Sequence, residues 1–163
     1  EGVEMLCCAL EKQQCKLTEL NLSSCSLTKK CMGSLGEVLG SEECQLTNLN
    51  LAENNIVDEG VEMLCCALEK QQCKLTELNL SSCSLTGKCI VSLCKALMNC
   101  RLTALRLDNP RNYDSRIDVF LNKFTFEECR LLLEAEKSEL CRARGLRIEL
   151  DNDLRKKISR NDV

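Results

Sequence analysis

The 163-residue chain contains fifteen cysteines and no histidine, so thiol chemistry is the first possibility to consider. In a secreted chain, that many cysteines would favour a disulfide framework. Here they recur at fixed intervals: Cys15, Cys44 and Cys73 follow one another at 29-residue spacing. Free cysteines behave as small hydrophobes in a packed interior. We therefore interpret them as reduced thiols in packing positions, including the pairs Cys7-Cys8 and Cys65-Cys66, and keep disulfides as the alternative.

Metal binding and catalysis find little support in the residue types. Structural zinc sites use closely spaced cysteine or histidine pairs, and no C-x-x-C pair is matched by a second one. Without histidine, the chain lacks the usual base near neutral pH. Ser23-Ser24 and Ser81-Ser82 have no visible activating base, and no G-x-x-x-x-G-K-[ST] phosphate loop is present. We predict a protein that is not an enzyme and needs no cofactor or metal.

The cysteines share their spacing with a leucine pattern. Three segments fit the leucine-rich repeat template L-x-x-L-x-L-x-x-N/C-x-L: LTELNLSSCSL at Leu17–Leu27, LTNLNLAENNI at Leu46–Ile56 and LTELNLSSCSL at Leu75–Leu85. LTALRL at Leu102–Leu107 opens a fourth copy, so the spacing is 29, 29 and 27 residues. A short strand with one apolar side cannot bury that side alone, so the repeats must stack. This predicts an α/β solenoid with parallel strands on the concave face and helices on the convex face.

Part of the chain is an exact duplication. Glu1–Thr28 is identical to Glu59–Thr86, an offset of two repeats. The repeats therefore alternate between two types, one with cysteine at the N/C position (Cys25, Cys83) and one with Asn54. An inward side chain at this position is predicted to satisfy backbone groups of the loop. The sequence leaves open whether the duplication is natural or engineered.

The segments between the strands predict amphipathic helices, because apolar residues recur at i, i+3, i+4 and i+7. Thr28, Asp58 and Thr86 are predicted to cap the second, third and fourth helices through their side-chain oxygens. The predicted inward positions are Val3, Leu6, Cys7 and Leu10; Cys31, Leu35, Val38 and Leu39; Val61, Leu64, Cys65 and Leu68; and Cys89, Ile90, Leu93 and Leu97.

The template is lost after Leu107, and a different pattern follows. Thr125–Glu128 forms a capping box. A helix is predicted from there to about Arg142, with Cys129, Leu132, Leu133 and Leu140 on one face. Gly145 would end it, and Leu146–Leu150 alternates like a last strand.

We predict three regions on this basis. Residues 1–107 form about four leucine-rich repeats, residues 108–150 form a degenerate last repeat with an insertion that caps the solenoid, and residues 151–163 form a polar, frayed tail. Ile148 and Leu150 would correspond to Leu105 and Leu107. The role of residues 108–123 stays open. Because the chain begins within a repeat, we expect it to be a piece of a longer protein.

The alternating repeats carry a family resemblance. The strings LNLSSCSLTKKC and LNLAENNIVDEGVEMLC resemble ribonuclease-inhibitor-like leucine-rich repeats, most of all those of the C-terminal region of NOD-like (NACHT–LRR) innate immune receptors. Ribonuclease inhibitor itself is nearly as similar. The resemblance covers residues 1–107 and implies a curved α/β solenoid in the cytoplasm. In the receptor family, this region is implied to sense ligands or to restrain a nucleotide-binding module.

A binding face is predicted on the strands, since residues between the inward leucines of L-x-x-L-x-L point to the concave side. The alternative is a strand face that is merely solvated, because it lacks the large anchors typical of binding hot spots apart from Arg106 and Tyr113. The candidate residues are Glu19, Asn21, Ser23, Asn48, Asn50, Glu77, Asn79, Ser81, Arg106, Asp108 and Tyr113.

These observations predict a protein-recognition module whose partner is a protein ligand or an intramolecular domain of a parent receptor. The formal charge of −3 gives no basis for nucleic-acid binding, and no apolar run is long enough to predict a membrane span. One alternative is a ribonuclease inhibitor, although the chain has no tryptophan and few acidic residues on the predicted face. Another is a repeat scaffold with no natural ligand. The oligomeric state is not predicted.

Overall fold

Each repeat folds into a short strand, a loop and a helix. The structure is a computed structural model that describes residues 2–109 and 122–161. Within these ranges, five parallel strands form one sheet in chain order. The strands are β1 (Glu19–Asn21), β2 (Asn48–Asn50), β3 (Glu77–Asn79), β4 (Ala104–Arg106) and β5 (Arg147–Glu149). The predicted α/β repeat architecture is confirmed.

The strands are in register at the middle leucine of each repeat. Leu20 lies opposite Leu49, Leu49 opposite Leu78, and Leu78 opposite Leu105. Leu105 in turn lies opposite Ile148, which confirms the predicted correspondence of the last strand. Because side chains alternate along a strand, this row of apolar residues faces one side of the sheet and the residues beside it face the other.

Helices cover the apolar side of the sheet. They are α1 (Gly2–Leu10), α2 (Lys29–Leu39), α3 (Val57–Leu68), α4 (Ile90–Asn99), α5 (Phe126–Lys137), α6 (Glu139–Arg144) and α7 (Asn152–Asn161), with a 3-10 turn at Gly87–Cys89 before α4. Successive helices from α1 to α5 contact one another. Among the described residues, the helices are too short or too polar to cross a bilayer.

The core lies between the two layers, and most predicted inward positions are buried in it. Leu35, Leu64 and Leu93 come from helices, while Leu51 and Leu80 come from the strand side. Val3, Leu6 and Cys31 are exceptions, since they are only half-buried at the side of the first repeat.

The predicted cap at Asp58 is wrong. Asp58 lies one position beyond the place that Thr28 and Thr86 take in their repeats, inside the first turn of α3. Its buried carboxylate accepts hydrogen bonds from the backbone N–H (2.8 Å) and hydroxyl (2.6 Å) of Thr86 in the next repeat. Thr28 precedes α2, but its side chain makes no capping hydrogen bond. Only Thr86 accepts one, from the N–H of Lys88 at 3.4 Å.

The capping box at Thr125 is confirmed. The N–H of Thr125 donates to Glu128 Oε2 (2.7 Å), and the N–H of Glu128 donates to Thr125 Oγ1 (3.3 Å). The single predicted helix is instead broken at Ser138, where the backbone is extended (ψ 152°). Leu140, predicted to face inward, is 58% exposed because the break reorients α6. Gly145 ends α6 in the left-handed conformation (φ 76°), as predicted.

The expected frayed tail is helical in its described part. Residues Asn152–Asn161 form α7, whose Ile158 is buried. Arg155 forms an ion pair with Glu136 of α5 at 2.9 Å. Among the described side chains, Ile158 and the Arg155–Glu136 ion pair help to hold the tail in place, and neither is signalled by a sequence stretch that is mostly polar.

Candidate concave binding face

The polar side of the sheet presents two rows of side chains across the strands. The structure brings most of the predicted residues together there, around a hollow of about 450 Å³. The first row is Glu19, Asn48, Glu77, Ala104 and Arg147, and the second is Asn21, Asn50, Asn79, Arg106 and Glu149. Tyr113 lies outside the described residues, so its part in this face stays a prediction.

A smaller hollow of about 240 Å³ adjoins the first, where the strands give way to loops. The predicted residues Ser23, Ser81 and Asp108 line it. So does Glu53, whose Oε2 accepts a hydrogen bond from the Ser24 hydroxyl (2.6 Å). Sequence reasoning omitted Glu53, because it looked only at the strand positions between template leucines.

The asparagines of the second row are held in one orientation. Asn21 Oδ1 accepts from the N–H (3.0 Å) and hydroxyl (2.8 Å) of Ser23, and Asn79 Oδ1 accepts equally from Ser81 (3.0 and 2.7 Å). Asn50 Oδ1 accepts from the N–H of Ala52 (3.0 Å). Since a backbone N–H must meet oxygen, each amide NH₂ is directed away from its own backbone. Neighbouring strands lie about 4.8 Å apart, so the NH₂ groups form a ladder of donors.

Arg106 is not a free anchor. Its Nε lies 2.9 Å from Glu149 Oε2, and one of its terminal nitrogens lies 3.6 Å from Asp108 Oδ2. Asp108 Oδ1 lies 2.7 Å from the Ser81 hydroxyl, whose single proton is shared between Asp108 and Asn79 Oδ1. Two carboxylates therefore neutralise the arginine at this end of the face. Glu149 was not among the predicted residues, because the last strand was treated as a cap rather than as part of the face.

Carboxylates dominate the other end of the face. Glu19 and Glu77 are both exposed and stand in the first row on either side of Asn48. Among residues 2–109 and 122–161, no ion pair involves either carboxylate. The face thus offers negative charge beside amide donors, a combination that suits basic side chains and backbone carbonyl oxygens.

Asn54, at the N/C position of the second repeat, has the structural role that was predicted. Asn54 is fully buried, and its Oδ1 accepts from the N–H groups of Cys25 (3.1 Å) and Leu27 (2.8 Å). Its NH₂ donates to the carbonyls of Leu22 (2.8 Å) and Leu51 (2.9 Å).

Asn122 plays the same role for the loop at Cys83. Its Oδ1 accepts hydrogen bonds from the N–H groups of Cys83 (2.9 Å) and Leu85 (3.0 Å). Sequence reasoning missed Asn122 because twelve residues separate it from Asn109, beside the expected template position. A signal was present: Asn122-Lys-Phe-Thr matches Cys83-Ser-Leu-Thr.

All fifteen cysteines are free thiols. Burial raises the pKa of both Cys65 and Cys83 to about 12, and that of Cys129 to about 11, so these thiols stay protonated near neutral pH. The packing interpretation is wrong for Cys8, Cys25 and Cys66, which are exposed. No group of described residues has the composition of a metal site.

The comparisons with known proteins agree with this geometry. Sequence models of the leucine-rich repeat match residues 16–38, 44–65 and 74–96. These three segments are leucine-rich repeats, and the chain has the fold of such repeats. Leucine-rich repeats are generally non-catalytic modules that bind proteins.

Two solved structures are similar over nearly the whole chain. The tropomodulin C-terminal domain from Caenorhabditis elegans has a TM-score of 0.67 at 19% identity, over 98% of this chain and 90% of that one. The Leiomodin-1 Actin-Binding Site 2 has a TM-score of 0.60 at 19% identity, over 96% and 94%. At this identity the likeness shows the fold. No curated protein sequence matches the chain.

Proposed function

We propose that the chain is the leucine-rich repeat region of a cytoplasmic NOD-like innate immune receptor, and that its concave face binds a protein ligand or an intramolecular domain of that receptor. The alternation of cysteine-type and asparagine-type repeats supports the receptor part of the proposal. The ladder of amide donors from Asn21, Asn50 and Asn79 supports the choice of face.

The chemistry of the face defines the segment that fits it. An extended chain crossing the strands would place backbone carbonyls on the amide ladder. Lysine or arginine side chains of that segment would pair with Glu19 and Glu77, which stand two strands, or about 10 Å, apart. Charge-assisted hydrogen bonds of this kind are stronger than neutral ones. The partner surface is therefore an extended, basic segment.

Selection of peptides on the purified chain tests this proposal. A random peptide library displayed on phage should yield lysine- and arginine-rich sequences. Binding of a selected peptide, followed by fluorescence anisotropy, should weaken about tenfold or more in the triple variant Asn21→Ala, Asn50→Ala, Asn79→Ala, and also in Glu77→Gln. Val91→Ala, at an exposed position on α4, is the matched control and should leave binding unchanged. Equal affinity in all variants would remove the concave face from the proposal.

A second candidate comes from the leiomodin fragment, which is named for actin binding and resembles the chain over almost its full length. Co-sedimentation with filamentous actin tests it directly. On the receptor proposal the chain stays in the supernatant. Saturable pelleting that the triple asparagine variant abolishes would make actin the partner of the concave face.

The ribonuclease-inhibitor alternative has its own assay. We expect no inhibition of a pancreatic-type ribonuclease by the chain at micromolar concentration, because tryptophan is absent from the sequence and Arg106 is held by two carboxylates. Loss of ribonuclease activity at a stoichiometric ratio would favour the inhibitor. Failure of every probe, including the peptide library, would favour a scaffold without a natural ligand.

A further inference from the structure

The charged side chains of the first row stand at a fixed interval across the sheet. Glu19 on β1 and Glu77 on β3 are two strands apart, and Arg147 on β5 is two strands beyond Glu77. All three side chains are exposed, and the strands between them contribute the uncharged residues Asn48 and Ala104. Since neighbouring strands lie about 4.8 Å apart, the row carries two negative charges and then a positive one at intervals of about 9.6 Å.

These charges are not used up within the described part of the chain. No ion pair joins Glu19, Glu77 or Arg147 to another residue in the ranges 2–109 and 122–161. Arg106, in the second row, differs because Glu149 and Asp108 neutralise it. The first row therefore presents its charges to whatever crosses the face.

The interval of about 9.6 Å selects one conformation for a segment that crosses the strands. A polyproline II helix has three residues per turn and rises about 3.1 Å per residue, so every third side chain points the same way at about 9.3 Å. In a β-strand, side chains on one side recur at about 6.8 Å and then at about 13.6 Å, and neither distance fits. An α-helix needs about seven residues to cover the interval, and most of its carbonyls are bonded within the helix.

The second row fits the backbone of the same segment. The amide NH₂ groups of Asn21 and Asn79 are also two strands apart, and both are directed away from their own backbone. The carbonyls of a polyproline II helix have no partner within the helix, and those on one side recur at every third residue. The two rows lie two residues apart along each strand, about 6.7 Å, which a long lysine or arginine side chain bridges.

We propose that the concave face binds a polyproline II segment with the pattern basic-x-x-basic-x-x-acidic. This inference rests on the proposed function, because it names the ligand class of the same face. The two basic residues pair with Glu19 and Glu77, and the acidic residue pairs with Arg147. Backbone carbonyls of the segment accept from Asn21 and Asn79. A third basic residue in place of the acidic one is repelled by the Arg147 guanidinium.

A series of fluorescent peptides of equal length tests the pattern by anisotropy at low ionic strength, where exposed charges are least screened. The reference peptide has lysine at positions i and i+3 and glutamate at i+6, with proline and alanine elsewhere. The spacing peptide has the same composition, with lysine at i and i+2 and glutamate at i+4, as a β-strand would require. The charge peptide has a third lysine in place of the glutamate.

The reference peptide should bind about threefold or more tighter than the spacing peptide and the charge peptide, as expected for exposed ion pairs. The result for the charge peptide is decisive, because the chain has a formal charge of −3 and attraction by net charge alone would favour three lysines. A glycine peptide, in which glycine replaces each proline of the reference peptide, should bind about threefold weaker, since a flexible segment loses more freedom on binding.

Variants of the chain assign the pattern to residues. Glu19→Gln should remove the preference for the three-residue spacing, because only one carboxylate of the row is left. Arg147→Gln should remove the preference for glutamate over lysine at position i+6. Glu37→Gln is the matched control, since it takes one negative charge from an exposed position on α2, and it should change neither preference.

The inference is overturned if the spacing, charge or glycine peptide binds as tightly as the reference peptide, or if Glu37→Gln weakens binding as much as Glu19→Gln does. If the peptides still lose affinity in the triple asparagine variant, the concave face remains the binding site and only the pattern is wrong. The pattern is also wrong if a peptide selected from the library binds and the series does not. If neither the library nor the series gives a binder, the proposed function fails as well.

Discussion

Single buried amides close the loops of this solenoid. Asn54 and Asn122 each accept from two N–H groups of the preceding repeat and donate to carbonyls on both sides of the loop. The loops contain non-glycine residues in the left-handed conformation, such as Ser24 (φ 53°) and Ser82 (φ 51°). Their backbone N–H and C=O groups therefore cannot form the regular hydrogen bonds of a helix or a strand. The amide takes over that task, because buried backbone groups need partners.

We therefore expect Asn54→Ala to lower the free energy of unfolding by about 3 kcal/mol or more, since several buried groups lose partners at about 1–3 kcal/mol each. Urea unfolding followed by circular dichroism measures this. Asn55→Ala is the matched control, because the Asn55 side chain is exposed, and it should cost less than about 0.5 kcal/mol. Similar losses in both variants would mean that the amide does not hold the loop.

The buried thiols make stability depend on alkaline pH. Burial raises the pKa of Cys65 and Cys83 to about 12, whereas an unfolded thiol has a pKa near its model value of 9.0. Above pH 9 the unfolded chain loses these protons before the folded chain does, so stability falls as pH rises from about 9 to about 12. Each such thiol contributes a slope of about 1.4 kcal/mol per pH unit in that window.

Cys83→Ala should make this alkaline decline shallower by the slope of one thiol. Val91→Ala, at an exposed position without a titrating group, should leave the slope unchanged. Denaturant unfolding at several pH values between 8 and 11 provides the comparison. A decline that is equally steep in both variants would place the titrating groups elsewhere.

The place of its repeat in the sheet, rather than the local sequence, decides how much a leucine contributes to stability. Leu80 and Leu22 have identical neighbours in the chain, yet Leu80 is fully buried and Leu22 only half-buried. Leu80→Ala should cost about 2–5 kcal/mol, as core truncations do. Leu22→Ala should cost clearly less. Asn79→Ala, on the polar side of β3, should cost about 1 kcal/mol, because only the partly buried hydrogen bonds from Ser81 are lost. Equal costs for Leu80 and Asn79 would mean that the strand register is misassigned.

The sequence predicts the repeating elements well, because leucine spacing and stacking leave one solution for β1 to β4. It also predicts the capping box at Thr125 and the left-handed glycine at 145, since both are local signals. What it misses depends on neighbours. Asp58 satisfies the next repeat instead of its own helix, and Ser138 breaks a helix whose apolar pattern runs on without a signal.

The candidate face was predictable only in part for the same reason. Alternation along a strand assigns Asn21, Asn50 and Asn79 to the polar side of the sheet. It cannot show that Glu149, 43 residues beyond Arg106, becomes its neighbour and removes its free charge. The sequence likewise cannot show that the two copies of the duplicated segment are buried to different extents, because their residues are identical.

Over the whole molecule, a solenoid must close its open side, and we propose that residues 108–150 do this at the C-terminal end. β5 pairs with β4, and α5 contacts α4. Arg144 joins α6 to the end of α4 by donating to the carbonyls of Leu97 (2.6 Å), Cys100 (2.7 Å) and Leu102 (2.6 Å). Leu97 and Cys100 lie at the end of α4, where the last carbonyls of a helix have no partner within the helix.

Removal of residues 124–163 should therefore give a protein that aggregates or melts far below the full chain. Leu93, Leu97, Leu102 and Leu105 are 0% exposed and Leu107 is 1% exposed. Each buried leucine that the deletion returns to water costs about 1.5–3 kcal/mol.

A milder truncation after Asp151 is the matched control: it removes α7 but keeps β5, Arg144 and the contact of Asp151 with the Asn109 N–H (2.9 Å). It should lose much less stability, because Ile158 and Arg155 are removed while the leucines of the core stay covered. Size-exclusion chromatography with light scattering, together with thermal unfolding, ranks the three proteins. If the long deletion stays monomeric with an unchanged melting point, residues 124–150 are not a cap, and their apolar face is open for a partner.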